Sequence, residues 1–295
     1  MKKLLRLCDM YDYTRKNTMW RLTMLPIALQ LYSVRDLMEQ DFEGTIRNVK
    51  EMGYNGVEIA GFYGRTPVQI KSLLKENALT PVSAHVSYED MMANPKKTLG
   101  DYAEIGCQYI AIPWLAEEYR VGSEKFNEFA DNAHMLGTVA SEFGMTLLYH
   151  NHDFEFKQVD GKYMLDILFD TIPGSLLQTQ IDTCWVMVVG ENPVTYLRKY
   201  AGRAPVIHLK DFMKIGNPMD YYQLPGYADD KDSNNNSEPL FEFRPLGQGL
   251  LDISSILDAS KDAGVNWIIV EFDFPPEGKT SMQCAKESIE YYRSL

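Results

Sequence analysis

One unit recurs eight times along the chain: a short run of β-branched and apolar residues ending in polar ones, a loop, and an amphipathic helix closing near a glycine. The runs are IALQLYS (27–33), GVEIAGF (56–62), PVSAHVS (81–87), YIAIPW (109–114), TLLYHNH (146–152), LQTQIDT (177–183), PVIHLKD (205–211) and WIIVEFD (267–273). Helical periodicity falls between them at 41–52, 66–77, 95–106, 123–144, 163–172, 193–201 and 252–263, and after the last run at 280–293. Ser123 before a glutamate and Asn192 before Pro193 read as helix starts. Gly53, Gly106, Gly144, Gly202 and Gly264 read as helix ends. Strands that alternate with helices in this number predict an α/β chain folded as a single-domain (β/α)8 TIM barrel. The competing open doubly wound sheet carries a Gly-rich phosphate turn after its first strand, and LQLYSVRD has none.

The barrel is assigned to 26–295, preceded by an extension over 1–25 and carrying a long loop over 211–250 after strand seven. That loop is rich in Asn, Asp, Pro and Gly, and loops of such length are usually lids, binding loops or disordered segments. The extension and the loop each offer a surface for another subunit, which leaves a homo-oligomer open. The net charge of -12 argues against nucleic acid as a partner, since such binders need a cationic face. No window of about 18 apolar residues predicts a membrane span, and the basic opening MKKLL is interrupted too soon by Asp9 and Asp12 to read as a signal peptide. Cys8, Cys107, Cys184 and Cys284 are far apart, with no CxxC pair, which suits a reducing, cytoplasmic location.

In this fold the chemistry sits where strands end, at the mouth of the barrel. The unusual polar residues fall there: Glu58 ends strand two, His85 strand three, His150, His152 and Glu155 strand five, Asp182 strand six, His208 and Lys210 strand seven, Glu271 and Asp273 strand eight. Four of the five histidines are in this set, and the fifth, His134, lies within a helix. Any single member is more often a cap or a loop contact. Together they are harder to read that way, because Glu155, Asp182 and Glu271 around one opening would repel one another without a cation between them. Oxygen and imidazole donors in this mixture suit one divalent ion, Mn, Mg, Co or Zn. Trp114 and Trp185 follow strands four and six, where they either stack on a sugar face or cover the rim. Tyr221, Tyr222 and Tyr227 are candidates for a sugar-stacking lid, and Arg244 for a further substrate contact. Gly247-Gln248-Gly249 reads as a tight turn before a helix.

The motifs LQLYSVRD, MGYNGVEIAGFYG, YHNHDFEF, IDTCWVMVVGENP, VIHLKD, LGQG and VEFD resemble the xylose isomerase-like TIM-barrel superfamily, in its sugar phosphate isomerase/epimerase group. The resemblance runs from about residue 28 to the C-terminus and implies one divalent metal ion, held by Glu on strand five, Asp on six, His on seven and Glu on eight. Asp182, His208 and Glu271 match the last three of these. The strand-five ligand does not match: Tyr149 or His150 stands where many epimerases place Glu. Glu155 is taken as the fourth ligand, with His152 or His150 as its substitute.

The resemblance implies an isomerase or epimerase that acts on a keto-sugar or sugar phosphate through an enediolate. On this reading His150 or His152 is the base, Glu58 and His85 orient hydroxyls, and Lys210 neutralises an oxyanion or binds an anionic group. Loss of the in-strand glutamate weakens a symmetric two-glutamate epimerisation. A histidine pair brings the chain closer to the dehydratase members of the superfamily, which perform β-elimination on a keto-inositol or 3-keto-glycoside. A non-catalytic carbohydrate-binding barrel is the reading from a different class.

Overall fold

The computed structural model describes residues 24–214 and 241–295. Most of the expected extension, the middle of the expected loop, Cys8 and the three loop tyrosines lie outside the described residues. Eight parallel strands form one sheet: Ile27–Gln30, Gly56–Ile59, Thr80–Ala84, Tyr109–Ile112, Thr146–His150, Gln178–Asp182, Val206–Leu209 and Trp267–Val270. Each pairs with its neighbour in sequence among these eight, and the first pairs with the last. Between the third and fourth strands the seam is thinner. It consists of a single bridge, His85 to Ala111, flanked by Gln108 N–H to the Val82 carbonyl (3.1 Å) and Val86 N–H to the Ala111 carbonyl (3.1 Å). The sheet is thus a nearly closed (β/α)8 barrel.

Side chains alternate across a strand with a period of two, and this sorts the barrel into an outer and an inner population. Leu29, Val57, Tyr149, Ile207 and Ile268 belong to the large apolar cluster between sheet and helices. Their neighbours Ala28, Val82, Ala111, Leu148, Val206 and Ile269 form a separate small apolar cluster inside the barrel. The inward phase then turns polar toward the strand ends. The register sets these polar residues side by side: Gln30 opposite Glu58, Glu58 opposite Ser83, His150 opposite Gln180, and Asp182 opposite His208. The barrel interior therefore has an apolar floor and a buried polar storey above it.

Most expected helices form, with ends set by local chemistry. Asp41 caps Phe42–Met52 by accepting from Gly44 N–H (2.9 Å), and Asn192 caps Pro193–Lys199 by accepting from Val194 N–H (2.9 Å). Thr66 with Gln69, and Thr280 with Gln283, form reciprocal capping boxes. Ser123 does not start a helix. Its hydroxyl donates to the carbonyls of Glu118 and Arg120 instead, and the helix begins later, at Phe126–Glu142. The first strand is shorter than its apolar run because the Gln30 side chain accepts Tyr32 N–H (3.0 Å) and turns the chain into a 3-10 turn over Leu31–Val34. Among the described residues no helix is long and apolar enough to cross a membrane.

After strand seven, Asp211–Lys214 pairs antiparallel with Phe241–Arg244. The Asp211 carboxylate anchors the turn beyond this ribbon, accepting from Gly247 N–H (2.9 Å), Gly249 N–H (2.9 Å) and Leu251 N–H (3.1 Å). This is why the GQG turn is built on glycine: a Cβ at Gly249 would press into the Asp211 carboxylate and lie 2.5 Å from the Phe212 carbonyl oxygen. Gly249→Ala is expected to lower unfolding free energy by about 2–4 kcal/mol. Urea denaturation followed by circular dichroism measures this, and a midpoint equal to wild type would contradict the packing described.

Candidate metal centre and cavity

The polar storey is built around Glu58, which is completely buried at the end of the second strand. Its Oε1 accepts from Ser83 Oγ (2.5 Å) and Gln180 Nε2 (2.6 Å); its Oε2 accepts from Gln30 Nε2 (2.7 Å) and from His208 Nε2 (2.6 Å). His85 Nε2 lies 3.2 Å from the same Oε2. Burial alone would favour the neutral acid, but the charges of His85 and His208 outweigh it and hold the carboxyl at about 2.

His208 lies between two carboxylates, with Nε2 on Glu58 and Nδ1 2.8 Å from Glu271 Oε2. Burial disfavours its charge, yet the two acids raise it to about 10. Lys210 Nζ reaches Asp273 Oδ1 (2.8 Å) and Glu271 Oε2 (3.2 Å). Burial raises the Glu271 carboxyl, and Lys210 and His208 reverse this to leave it well below the ordinary range. Among the protein's own side chains, Lys210 and His208 supply the positive charge beside these acids.

Asp182 is balanced differently. One oxygen, Oδ1, caps the following helix by accepting from Cys184 N–H (2.8 Å) and Trp185 N–H (3.3 Å). The other, Oδ2, is buried and makes no hydrogen bond. Its neighbours are His150 Nε2 at 3.6 Å and Lys210 Nζ at 3.8 Å. Desolvation pushes this carboxyl up to about 7. A buried oxygen with no donor is costly, and here it faces an imidazole nitrogen. Donor atoms of His150, Asp182, His208 and Glu271 all lie within 4.8 Å of one another. Two imidazoles and two carboxylates suit zinc, manganese or cobalt, so these residues fit a divalent ion.

Glu155 lies elsewhere. Tyr149 points to the outer side of the wall, and Glu155 accepts from its hydroxyl (2.6 Å) and from His152 N–H (2.7 Å). Its carboxyl lines a small separate cavity with Arg120, Phe126 and Leu168. Burial raises it to about 7. His150 occupies the inward position on strand five, where Glu155 was expected to act.

A cavity of about 600 Å³ opens over the polar storey, lined by His85, His150, His152, Lys210 and Glu271 on its floor and by Tyr32, Trp114 and Phe274 higher up. His152 Nδ1 is buried without a hydrogen-bond partner, and its ring stacks on Phe154 at 5.5 Å. Trp185 is fully buried beneath His152 and Phe241 rather than on the lining. Arg244 pairs with Glu242 on the antiparallel ribbon, also off the lining. Glu58 is likewise below the floor and does not line the cavity. Sequence reasoning missed Gln30 and Gln180, although each sits on the inward phase of its strand, and Ser83, which a register shift beside Glu58 sets inward next to Val82; it also missed Tyr32 and Phe274.

The family model described as xylose isomerase-like TIM barrel matches residues 46–295. The chain belongs to this family. An inosose dehydratase from Clostridium beijerinckii is 25% identical over 297 residues, covering 92% of this chain and 96% of that protein. Among solved structures, a sugar phosphate isomerase/epimerase from Parabacteroides distasonis superposes with a TM-score of 0.72 at 19% identity, covering 91% of this chain and 93% of the other. The IOLI protein, solved with a zinc atom, superposes with a TM-score of 0.64 at 14% identity, covering 91% and 96%. The family and the buried donor cluster together identify a metal-dependent enzyme.

Asp182→Asn removes the charge of the unpartnered oxygen, and is expected to weaken zinc binding at least about 10-fold in isothermal titration calorimetry; unchanged affinity would exclude Asp182 as a ligand. Glu155 concerns stability instead. Because its folded-state pKa is raised, the folded chain prefers the neutral acid; the cost begins as pH rises past the unfolded value near 4.5 and is complete above about 7. The stability of wild type relative to Glu155→Gln should therefore fall by on the order of 2–3 kcal/mol between pH 5 and pH 8. Urea titrations at the two pH values test this, and a difference independent of pH counts against it.

Proposed function

We propose that the protein is a metal-dependent dehydratase that removes water from an unphosphorylated cyclic polyhydroxy-ketone of the inosose type. The observation that carries this reading is the donor set: the imidazole of His150, not a second glutamate, stands on strand five beside Asp182, His208 and Glu271. A symmetric exchange of protons between two glutamates then lacks one partner, since the first glutamate beyond strand five, Glu155, is bonded to Tyr149 and His152 behind the wall. Likeness to an inosose dehydratase along 92% of the chain supports the same reaction over isomerisation or epimerisation.

The cavity also speaks to the substrate. Among the described residues its lining has one lysine or arginine, Lys210, already paired with Glu271 and Asp273, while Glu89 adds further negative charge. A phosphate group needs cationic or backbone N–H donors, and the lining favours neutral hydroxyls instead. Tyr32, Trp114 and Phe274 give the upper walls apolar faces suited to a sugar or cyclitol ring.

The ion would be held by His150, Asp182, His208 and Glu271, and when bound it supplies Lewis-acid stabilisation of the charge that develops on a ketone oxygen. His152, whose Nδ1 makes no hydrogen bond within the protein, takes the proton from the carbon next to the ketone. The electron pair left behind forms the new double bond as the β-hydroxyl departs. Lys210 donates a proton to that hydroxyl, which leaves as water, and Asp273 and Glu271 hold the ammonium in place. The Glu155 carboxylate fixes the backbone of His152 and so its approach to the cavity.

Incubation of the zinc- or manganese-loaded protein with an inosose in deuterated water, followed by NMR, is expected to show loss of one hydroxyl and formation of the dehydrated ketone. His152→Ala should lower kcat by roughly 100-fold or more while retaining the metal by elemental analysis. Epimerisation of sugar phosphates with no elimination would overturn the proposed reaction, and full activity of His152→Ala would remove the base from its role.

A further inference from the structure

We infer that Glu58, although it neither lines the cavity nor belongs to the donor cluster, is a positioning residue that fixes which nitrogen of His208 and of His150 is free to bind the metal. This rests on the metal centre proposed above and assigns its hydrogen-bond logic.

A carboxylate at full burial only accepts hydrogen bonds, so every group that meets Glu58 must donate. His208 Nε2, 2.6 Å from Glu58 Oε2, therefore keeps its proton, and Nδ1, which meets Glu271 Oε2 at 2.8 Å, is the nitrogen whose proton a metal ion would displace. Gln180 passes the constraint on. Its amide nitrogen, 2.6 Å from Glu58 Oε1, must be the NH2 end, which turns its carbonyl oxygen toward His150 and His85. That oxygen lies 3.2 Å from His150 Nδ1 and 2.7 Å from His85 Nε2, so both of these nitrogens donate. His150 Nε2 is then the bare nitrogen, and it is the one facing the unpartnered Asp182 oxygen at 3.6 Å.

Gln30 and Ser83 complete the cradle. They hold the carboxylate from its other sides, and Gln30 is itself oriented by accepting Tyr32 N–H. A neutral glutamine at position 58 would present an NH2 group to donors, breaking the chain of assignments at its first link. Outer partners of this kind orient metal-bound imidazoles, and their loss costs about 10- to 100-fold in metal affinity.

The test uses the full chain with zinc as the probe. With histidine side chains labelled with ¹⁵N, long-range ¹H–¹⁵N correlation of the zinc-loaded wild type should show His208 bound through Nδ1 and protonated at Nε2. His150 should be bound through Nε2 and protonated at Nδ1. Assignments come from His208→Gln and His150→Gln spectra. The reverse pattern at either ring on bound zinc overturns this inference while leaving the metal centre intact; no zinc bound by wild type overturns both. Calorimetry adds a second reading: Glu58→Gln should bind zinc about 10- to 100-fold more weakly, and Glu58→Asp, which keeps the carboxylate, should recover part of the loss. Wild-type affinity in a folded Glu58→Gln protein also overturns the inference. Should Glu58→Gln fail to fold, the wild-type spectrum decides alone.

Discussion

A carboxylate with no exposure to water can stay ionised only if donors surround it. Glu58 meets that requirement at the centre of this barrel, with two amides, a hydroxyl and two imidazoles converging on its oxygens. The contributors come from strands one, three, six and seven and meet on strand two, so the interaction ties distant parts of the sheet to one point. Above it, His208 transmits the arrangement to Glu271, and Gln180 transmits it to His150. The donor cluster is thus linked by hydrogen bonds to a residue that lies beneath the cavity.

Charge balance explains why this interior tolerates so many acids. Glu58 and Glu271 share His208, and Glu271 and Asp273 share Lys210. Asp182 is left with one oxygen used as a helix cap and one without a hydrogen bond. That asymmetry leaves Asp182 with a free acceptor among the donor atoms of His150, His208 and Glu271. Glu155 shows the contrast, with both oxygens bonded and no member of the donor cluster nearby.

Much of this was legible in the chain. Alternating strands and helices specified the barrel, and the strand-end acids and histidines marked its mouth, because both follow from periodicity and the position of strands. In WIIVEFD and VIHLKD the period of two already places Glu271 with Asp273, and His208 with Lys210, on the inward face. The same rule applied to TLLYHNH turns Tyr149 outward and His150 inward, yet the expectation of a carboxylate favoured Glu155, close beyond the strand, with His150 or His152 only as its substitute. Beyond Asp153 the chain has left the strand for a short 3-10 turn, where alternation no longer governs direction. Gln30 and Gln180 were silent for another reason: a glutamine in a strand looks unremarkable until register shows which carboxylate it faces. The turn at GQG was read as a turn, but its dependence on Asp211 required the fold to bring them together.

The thin seam between the third and fourth strands has a consequence of its own. Seven of the eight interstrand boundaries are ladders of three or more residue pairs, one of them with a register shift beside Glu58, while this one is held by a lone bridge at His85 and two flanking bonds. A boundary with few backbone bonds is easier to part than a full ladder, and the residue that bridges this one, His85, also meets Gln180 and Glu58. Parting of these two strands would open a side path to the buried acids, separate from the mouth of the barrel.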